Sequence, residues 1–289
     1  MDYSSQQRKA GPFSRFIFGL WSLLTWIRIA VFNLIFLLIV LMIFITLGSR
    51  QTPVLPAEFA LRVAPSGILV DQRSYVDPVS LLLSDVGPEE SETLVRDLVE
   101  AINYAAEDPR VTSLVLELDY LLVGSISKLQ EIGQALSNFK SSGKQIIAYG
   151  DNFTQDQYYL ASYADKIYMS DMGAVLLTGY GTYRNYIRGA LDKLEINFHV
   201  FRSGKFKDAV EPLLREDMSE ESREHNARWL NELWEQYTQQ IEQARELPAG
   251  TINDYINTMH TRLRAAGGNG AQLALENGLV DELTNQQAI

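Results

Sequence analysis

Apolar and polar positions divide the chain into an apolar head and a long body of short, changing periodicities. Residues 29–47 contain no charged side chain, and only Asn33 and Thr46 are clearly polar. As a helix this run would extend roughly 28 Å at 1.5 Å per residue, matching the hydrocarbon core of a bilayer. Further on, residues 58–63 and 67–70 are β-prone runs separated by Pro65 and Ser66. Leu94, Leu98, Ile102 and Ala105 recur at helical spacing, with Glu89, Glu90 and Glu92 in the expected first turns and Pro109 as the stop.

The body continues in the same way. Residues 113–118 read as a buried strand, and Ile126, Leu129, Ile132, Leu136 and Phe139 mark an amphipathic helix ending near Gly143. A strand is expected at 145–148, a helix at 157–164, strands at 166–169 and 174–177, a helix at 183–194 and a strand at 198–201. Asp217 and Glu220 stand at capping-box spacing before a helix running to about Arg245. Its stripe is Leu230, Leu233, Trp234, Tyr237 and Ile241, which places Trp234 in the core and Trp229 against another segment. Pro248, Gly250, Gly267, Gly268 and Gly270 punctuate the stretch before a strand-like GLVDEL signal. Strands alternating with helices predict an α/β architecture with right-handed crossovers.

Charge adds an orientation. Arg8, Lys9, Arg15 and Arg28 precede the apolar run and only Arg50 follows closely, so the positive-inside bias puts the N-terminus in the cytoplasm and the body outside. Trp21 and Trp26 fall where an interfacial aromatic belt would lie. The run ends Ile45, Thr46, Leu47, Gly48, Ser49, a poor match to a cleavable signal peptide, so an uncleaved anchor is favoured. The expected division is a basic segment at 1–28, an anchor at 29–47, a Pro-containing linker at 48–57 and a folded body at 58–289.

A net charge of -11 argues against nucleic-acid binding. With no cysteine, thiolate chemistry and disulfides are excluded. His199, His225 and His260 are scattered, which disfavours a metal site and leaves few candidates for a Ser-His-Asp triad.

The most suggestive stretch is residues 201–217, FRSGKFKDAVEPLLRED. Lys207 is the candidate general base. A lysine loses its proton near neutrality only when burial or a neighbouring cation lowers its pKa by several units. Phe206, Ala209, Val210, Pro212 and Leu213 are neighbours of the kind that desolvate, although spacing alone does not separate Lys207 from Lys205. Ser125 after Gly124 and Ser170 before Gly173 lack the Gly-rich context of a nucleophile. Gly179 and Gly181 lack the third glycine of a nucleotide-binding loop, and no cofactor is implied. The pairs Glu216 with Asp217 and Asp281 with Glu282 read as solvated surface.

Four stretches carry a family resemblance: GKFKDAVEPLLREDMS at 204–219, YYLASYADKIYMS at 158–170, ALDKLEINFHVFR before the lysine, and the closing ALENGLVDEL. Together with the anchor, they resemble the first half of the long-form signal peptide peptidase A (protease IV) family, peptidase family S49, within the ClpP/crotonase superfamily. The resemblance implies ClpP/crotonase-like ββα units and a membrane-anchored serine protease with a Ser-Lys dyad, acting on signal-peptide remnants. It further implies homo-oligomers, tetramers by family pattern, in a bacterial inner membrane with the main domain periplasmic.

The family's base falls on Lys207. In the repeat that holds the nucleophile an SGGYY-type segment begins with the serine, and the matching place here, in QDQYYLAS, is near Gln155. The expectation is therefore a chain with the lysine repeat alone, a fragment or truncation, inactive by itself. A catalytically silent membrane-tethered scaffold is the alternative. A crotonase-type acyl-CoA enzyme would suit the fold but not the anchor, and no adenine-binding segment is recognisable.

Overall fold

The computed structural model describes residues 12–48, 56–75, 91–201, 203, 204 and 207–284. Arg8, Lys9, Glu89, Glu90, Lys205, Phe206 and most of the expected linker lie outside the described residues. The chain forms two units, divided between Leu55 and Pro56.

The first unit is the helix α1, Pro12–Gly48. Pro12 suits a first helical position, where its missing N–H is not needed. Within α1 the stretch Gly19–Thr46 is long and apolar enough to cross a membrane. It begins upstream of the expected 29–47, because the residues on either side of Arg28 are themselves strongly apolar. The hydroxyls of Thr25 and Thr46 donate back to the carbonyls of Trp21 and Met42, both at 2.9 Å, so neither is left without a partner in an apolar medium.

The second unit is α/β with parallel strands. Its elements run β1 Phe59–Val63, β2 Gly67–Val70, β3 Glu92–Leu94, α2 Val95–Glu107, β4 Val111–Glu117, β5 Leu121–Val123, α3 Ile126–Ser141, β6 Gln145–Gly150, β7 Phe153–Thr154 and α4 Gln155–Ala161. They continue β8 Lys166–Met169, β9 Val175–Leu176, α5 Arg188–Lys193, α6 Glu211–Leu214, α7 Glu220–Ala244, α8 Thr251–Ala265, α9 Gly270–Glu276 and β10 Glu282–Leu283. The larger sheet has order β1-β4-β6-β8-β10, all parallel; a second sheet is β3-β2-β5 and a third β7-β9.

The core follows from the periodicities. Ile102 and Ala105 of α2 and Leu129, Ile132, Leu136 and Phe139 of α3 are buried with Leu114, Leu116, Ile146, Ala148 and Ile167 of the sheet. Gly133 sits where a Cβ would lie 2.5 Å from the Tyr163 ring, so only glycine permits this approach. The α4 helix is buried from Gln157 to Ala161, which fits an apolar run too short to show a helical stripe. Tyr158 anchors it by donating to the Leu279 carbonyl at 2.7 Å.

Several elements differ from expectation. Glu92 lies in β3, not in a first helical turn, because residues 92–94 pair in register with 68–70. Residues 198–201 form no strand; Phe201 is 98% exposed, so hydrophobicity there finds no sheet to join. The helix expected at 183–194 is confined to Arg188–Lys193. The cap of α7 is Ser219, whose side chain accepts from the Ser222 N–H, and not Asp217. Trp234 packs against the core and also donates to Asn253 of α8 at 2.7 Å, whereas Trp229 donates to Asn226 on its own helix. The Gly- and Pro-punctuated stretch holds α8 and α9, with the carboxylate of buried Glu242 accepting from the Gly250 and Ile252 N–H groups at the start of α8.

Candidate active site

Lys207 opens the turn that leads into α6. Its successor does much of the anchoring. The Asp208 carboxylate accepts the Ser222 hydroxyl at 2.5 Å and pairs with the Arg184 guanidinium at 3.4 Å. The Asp208 carbonyl accepts the Glu211 N–H at 2.9 Å. Glu211 is itself buried, and its carboxylate accepts the Ser219 N–H at 3.1 Å. The Pro212 carbonyl, one residue on, accepts the Ile187 N–H at 2.9 Å. The lysine turn is thus fastened to the first turn of α7 and to the start of α5. The Ser222 hydroxyl, with the Arg184 charge adding, holds the Asp208 carboxyl below its ordinary range.

Lys207 itself is exposed, as is Ala209, while Val210, Pro212 and Leu213 are half-buried. Among the described neighbours expected to dry the ammonium, none is buried, and Phe206 lies outside the described residues. Apolar side chains do gather on the segment before it: Tyr183 is 96% exposed, and Leu194, Ile196 and Phe198 are exposed too.

The place matched to the family's serine is built differently. Gln155 is the first residue of α4, and its side-chain oxygen accepts two backbone N–H groups, from Gly179 at 2.8 Å and Thr178 at 3.2 Å. Its main-chain carbonyl accepts the Tyr237 hydroxyl at 2.7 Å. Next to it, the Asp156 carboxylate accepts the Gly124 N–H at 2.8 Å; burial raises its pKa and that N–H opposes the rise. A carboxamide offers no hydroxyl for a base to activate and forms no acyl-enzyme.

The two places are held at different points of α7. Ser222 binds the residue after Lys207, and Tyr237 binds Gln155; fifteen residues of helix separate these two fastenings, roughly 22 Å at 1.5 Å per residue.

The other candidates fall into structural roles. Ser125 is the N-cap of α3, with Lys128 Nζ 3.5 Å from its hydroxyl, but that ammonium pairs with Asp71 at 2.9 Å. The Ser170 hydroxyl accepts the Met172 N–H at 3.4 Å. Asp217 pairs with Arg215 at 2.9 Å and Glu216 is exposed. Asp281 corrects the surface reading: it accepts the Ile167 N–H at 2.8 Å and pairs with the nearly buried Arg245 at 2.9 Å. Only the long separation of these partners in sequence kept that role hidden.

The model of Peptidase family S49 matches residues 138–289. Protease 4 of Haemophilus influenzae is 37% identical over 274 residues, covering 92% of this chain and 44% of that protein. Protease 4 of Salmonella typhi is 36% identical over 282 residues, covering 94% and 46%. The chloroplastic serine protease SPPA of Arabidopsis thaliana is 28% identical over 170 residues, covering 59% and 24%. The chain therefore spans about half the length of the two bacterial relatives. Among solved structures, an enoyl-CoA hydratase/isomerase family protein from Hyphomonas neptunium overlaps with a TM-score of 0.30 at 16% identity, covering 66% of this chain and 59% of that one. That overlap is too slight to bear on function. With the family match covering more than half of the residues, and the lysine turn and the closing strand both inside it, the chain belongs to peptidase family S49.

Proposed function

We propose that this chain is the lysine-bearing half of a membrane-anchored Ser-Lys serine protease that degrades cleaved signal peptides, with Lys207 as general base and the serine supplied from outside these residues. The observation that carries this reading is the arrangement along α7: Asp208, the residue after Lys207, is fastened at its first turn, while Gln155, the position matched to the serine, is fastened roughly 22 Å further along the helix. A lysine side chain spans about 6 Å, a handful of bonds at standard lengths, so a hydroxyl from elsewhere is the better partner.

The exposed apolar side chains before Lys207 support a protein surface that is covered on assembly, which would also desolvate the ammonium. Homo-oligomers, tetramers by family pattern, fit that need. The Gly19–Thr46 stretch supports a single-pass anchor in a bacterial inner membrane, with a cytoplasmic N-terminus and the body in the periplasm. Apolar peptides released in the membrane suit such a position. The non-nucleophilic Gln155 also favours a second reading, a catalytically silent scaffold module.

The test is hydrolysis of a fluorogenic apolar peptide by the chain alone and by its assembly with the serine-bearing part. The expected result is no turnover alone, turnover when assembled, and its loss in Lys207→Met. Turnover that survives Lys207→Met removes lysine from the mechanism. Lysine-dependent turnover by the chain alone places the serine within it.

A further inference from the structure

We propose that Asp208 is a positioning residue, one that sets the direction in which Lys207 leaves the backbone by tying their shared peptide to Ser222 and Arg184. The inference rests on the reading of Lys207 as the base and adds to it the means by which an exposed lysine keeps a defined geometry.

Asp208 is held from three sides. Its carboxylate takes the Ser222 hydroxyl at 2.5 Å and the Arg184 guanidinium at 3.4 Å, and its carbonyl takes the Glu211 N–H at 2.9 Å. Ser222 sits in the first turn of a 25-residue helix whose N-terminus favours a carboxylate, and Ser219 at the cap is bonded in turn to the buried Glu211. The ring from Asp208 through Ser222, Ser219 and Glu211 back to the Asp208 carbonyl is closed by hydrogen bonds. The residue before Asp208 cannot swing freely about such a ring. A general base must meet its hydroxyl within hydrogen-bond reach, and small misplacements cost large factors in rate.

The charge is part of the device. Arg184 and Ser222 both face the Asp208 carboxylate, so the negative charge is engaged by partners of its own. The turn is therefore anchored by a carboxylate that is spoken for at neutral pH.

The test uses the assembled, active enzyme, with Lys207→Met, Asp208→Asn, Asp208→Ala and Ser222→Ala, and Asp217→Asn as a control on the surface pair with Arg215. Each variant is first checked by thermal melting. The expected outcome is a fall in kcat of tenfold or more for Asp208→Ala with KM within twofold, a smaller fall for Ser222→Ala, and partial rescue in Asp208→Asn, which keeps an acceptor for Ser222. Trypsin, which cuts after lysine, should cleave at Lys207 faster in Asp208→Ala and Ser222→Ala than in the parent.

If Lys207→Met abolishes turnover while folded Asp208→Asn, Asp208→Ala and Ser222→Ala all keep the parent kcat, the positioning role is wrong and the base assignment stands. If Lys207→Met keeps turnover, both fall. A uniform loss in which kcat, KM and melting temperature move together for every variant, Asp217→Asn included, also overturns the role, because it marks general destabilisation.

Discussion

The hydroxyl of Tyr237 donates to the main-chain carbonyl of Gln155 across 2.7 Å and so fastens the interior of α7 to the first residue of α4. Tyr237 is fully buried, its ring stacked on Trp234 with centroids 5.2 Å apart. Burial, with the nearby tyrosines and Asp156 adding, pushes its pKa well above the ordinary tyrosine value, so the hydroxyl remains a donor throughout the neutral range. Replacing Tyr237 by Phe removes the donor and leaves the ring packing. A loss of about 1 kcal/mol is expected, read as a lower urea midpoint with an unchanged slope. An unchanged midpoint would mean that the bond contributes nothing net.

Gln155→Ser tests whether the family's nucleophile could simply be restored. A serine hydroxyl is too short to reach the Thr178 and Gly179 N–H groups that the carboxamide now satisfies. Two donors are left to water, and a cost of about 1–3 kcal/mol is expected. No peptide hydrolysis by the chain alone is expected, because the turn that carries Lys207 is fastened at the start of α7 and residue 155 further along it. Turnover by this variant would show that the lysine reaches residue 155.

The Arg245 and Asp281 pair should be among the most sensitive points of the fold. Arg245 also donates to the Gly278 carbonyl at 3.2 Å, and its side chain is only 9% exposed. Arg245→Met strands a half-buried carboxylate, with an expected cost of about 3 kcal/mol in chemical denaturation. Adding Asp281→Asn should recover part of that loss, since the carboxamide still accepts the Ile167 N–H. A double variant no better than the single one would show that the pair acts through packing alone.

Acid should loosen the lysine turn. Ser222 and Arg184 hold the Asp208 carboxyl below its ordinary range, so its ionised form stabilises the folded state above the unfolded pKa of about 3.9. That contribution is lost as pH falls through the lower folded value. Proton exchange at the Glu211 and Ser219 amides should stay protected near pH 5 and lose protection as pH drops below about 4. In Ser222→Ala the loss should begin at higher pH, because the main cause of the lowered pKa is gone. Identical profiles for parent and variant would remove Ser222 from this role.

Much of the fold is legible in the residues because it depends on local period. The runs at 59–63, 67–70, 111–117 and 145–150 and the stripe of α3 announce themselves through β-branched or helically spaced apolar positions. Two-residue strands such as Phe153–Thr154 and Val175–Leu176 exist only because they meet each other, and pairing at that distance leaves no periodic trace. The same holds for the site. The lysine could be singled out from its motif, but the fastening of the next residue, Asp208, to Ser222 and Arg184 depends on partners 14 and 24 residues away. Residues 198–201 misled for the opposite reason: apolar character there marks surface, not a strand.

The main sheet keeps the order of the chain, β1, β4, β6, β8, β10, from one edge to the other. A polypeptide delivered from its N-terminus can therefore lay down each strand against the one delivered before it, and no later strand must wedge between two that are already joined. For a body that follows an apolar helix, such sequential growth lets assembly keep pace with delivery. It also sets the Arg245 and Asp281 clasp beside β10, the strand that comes latest in sequence of these five.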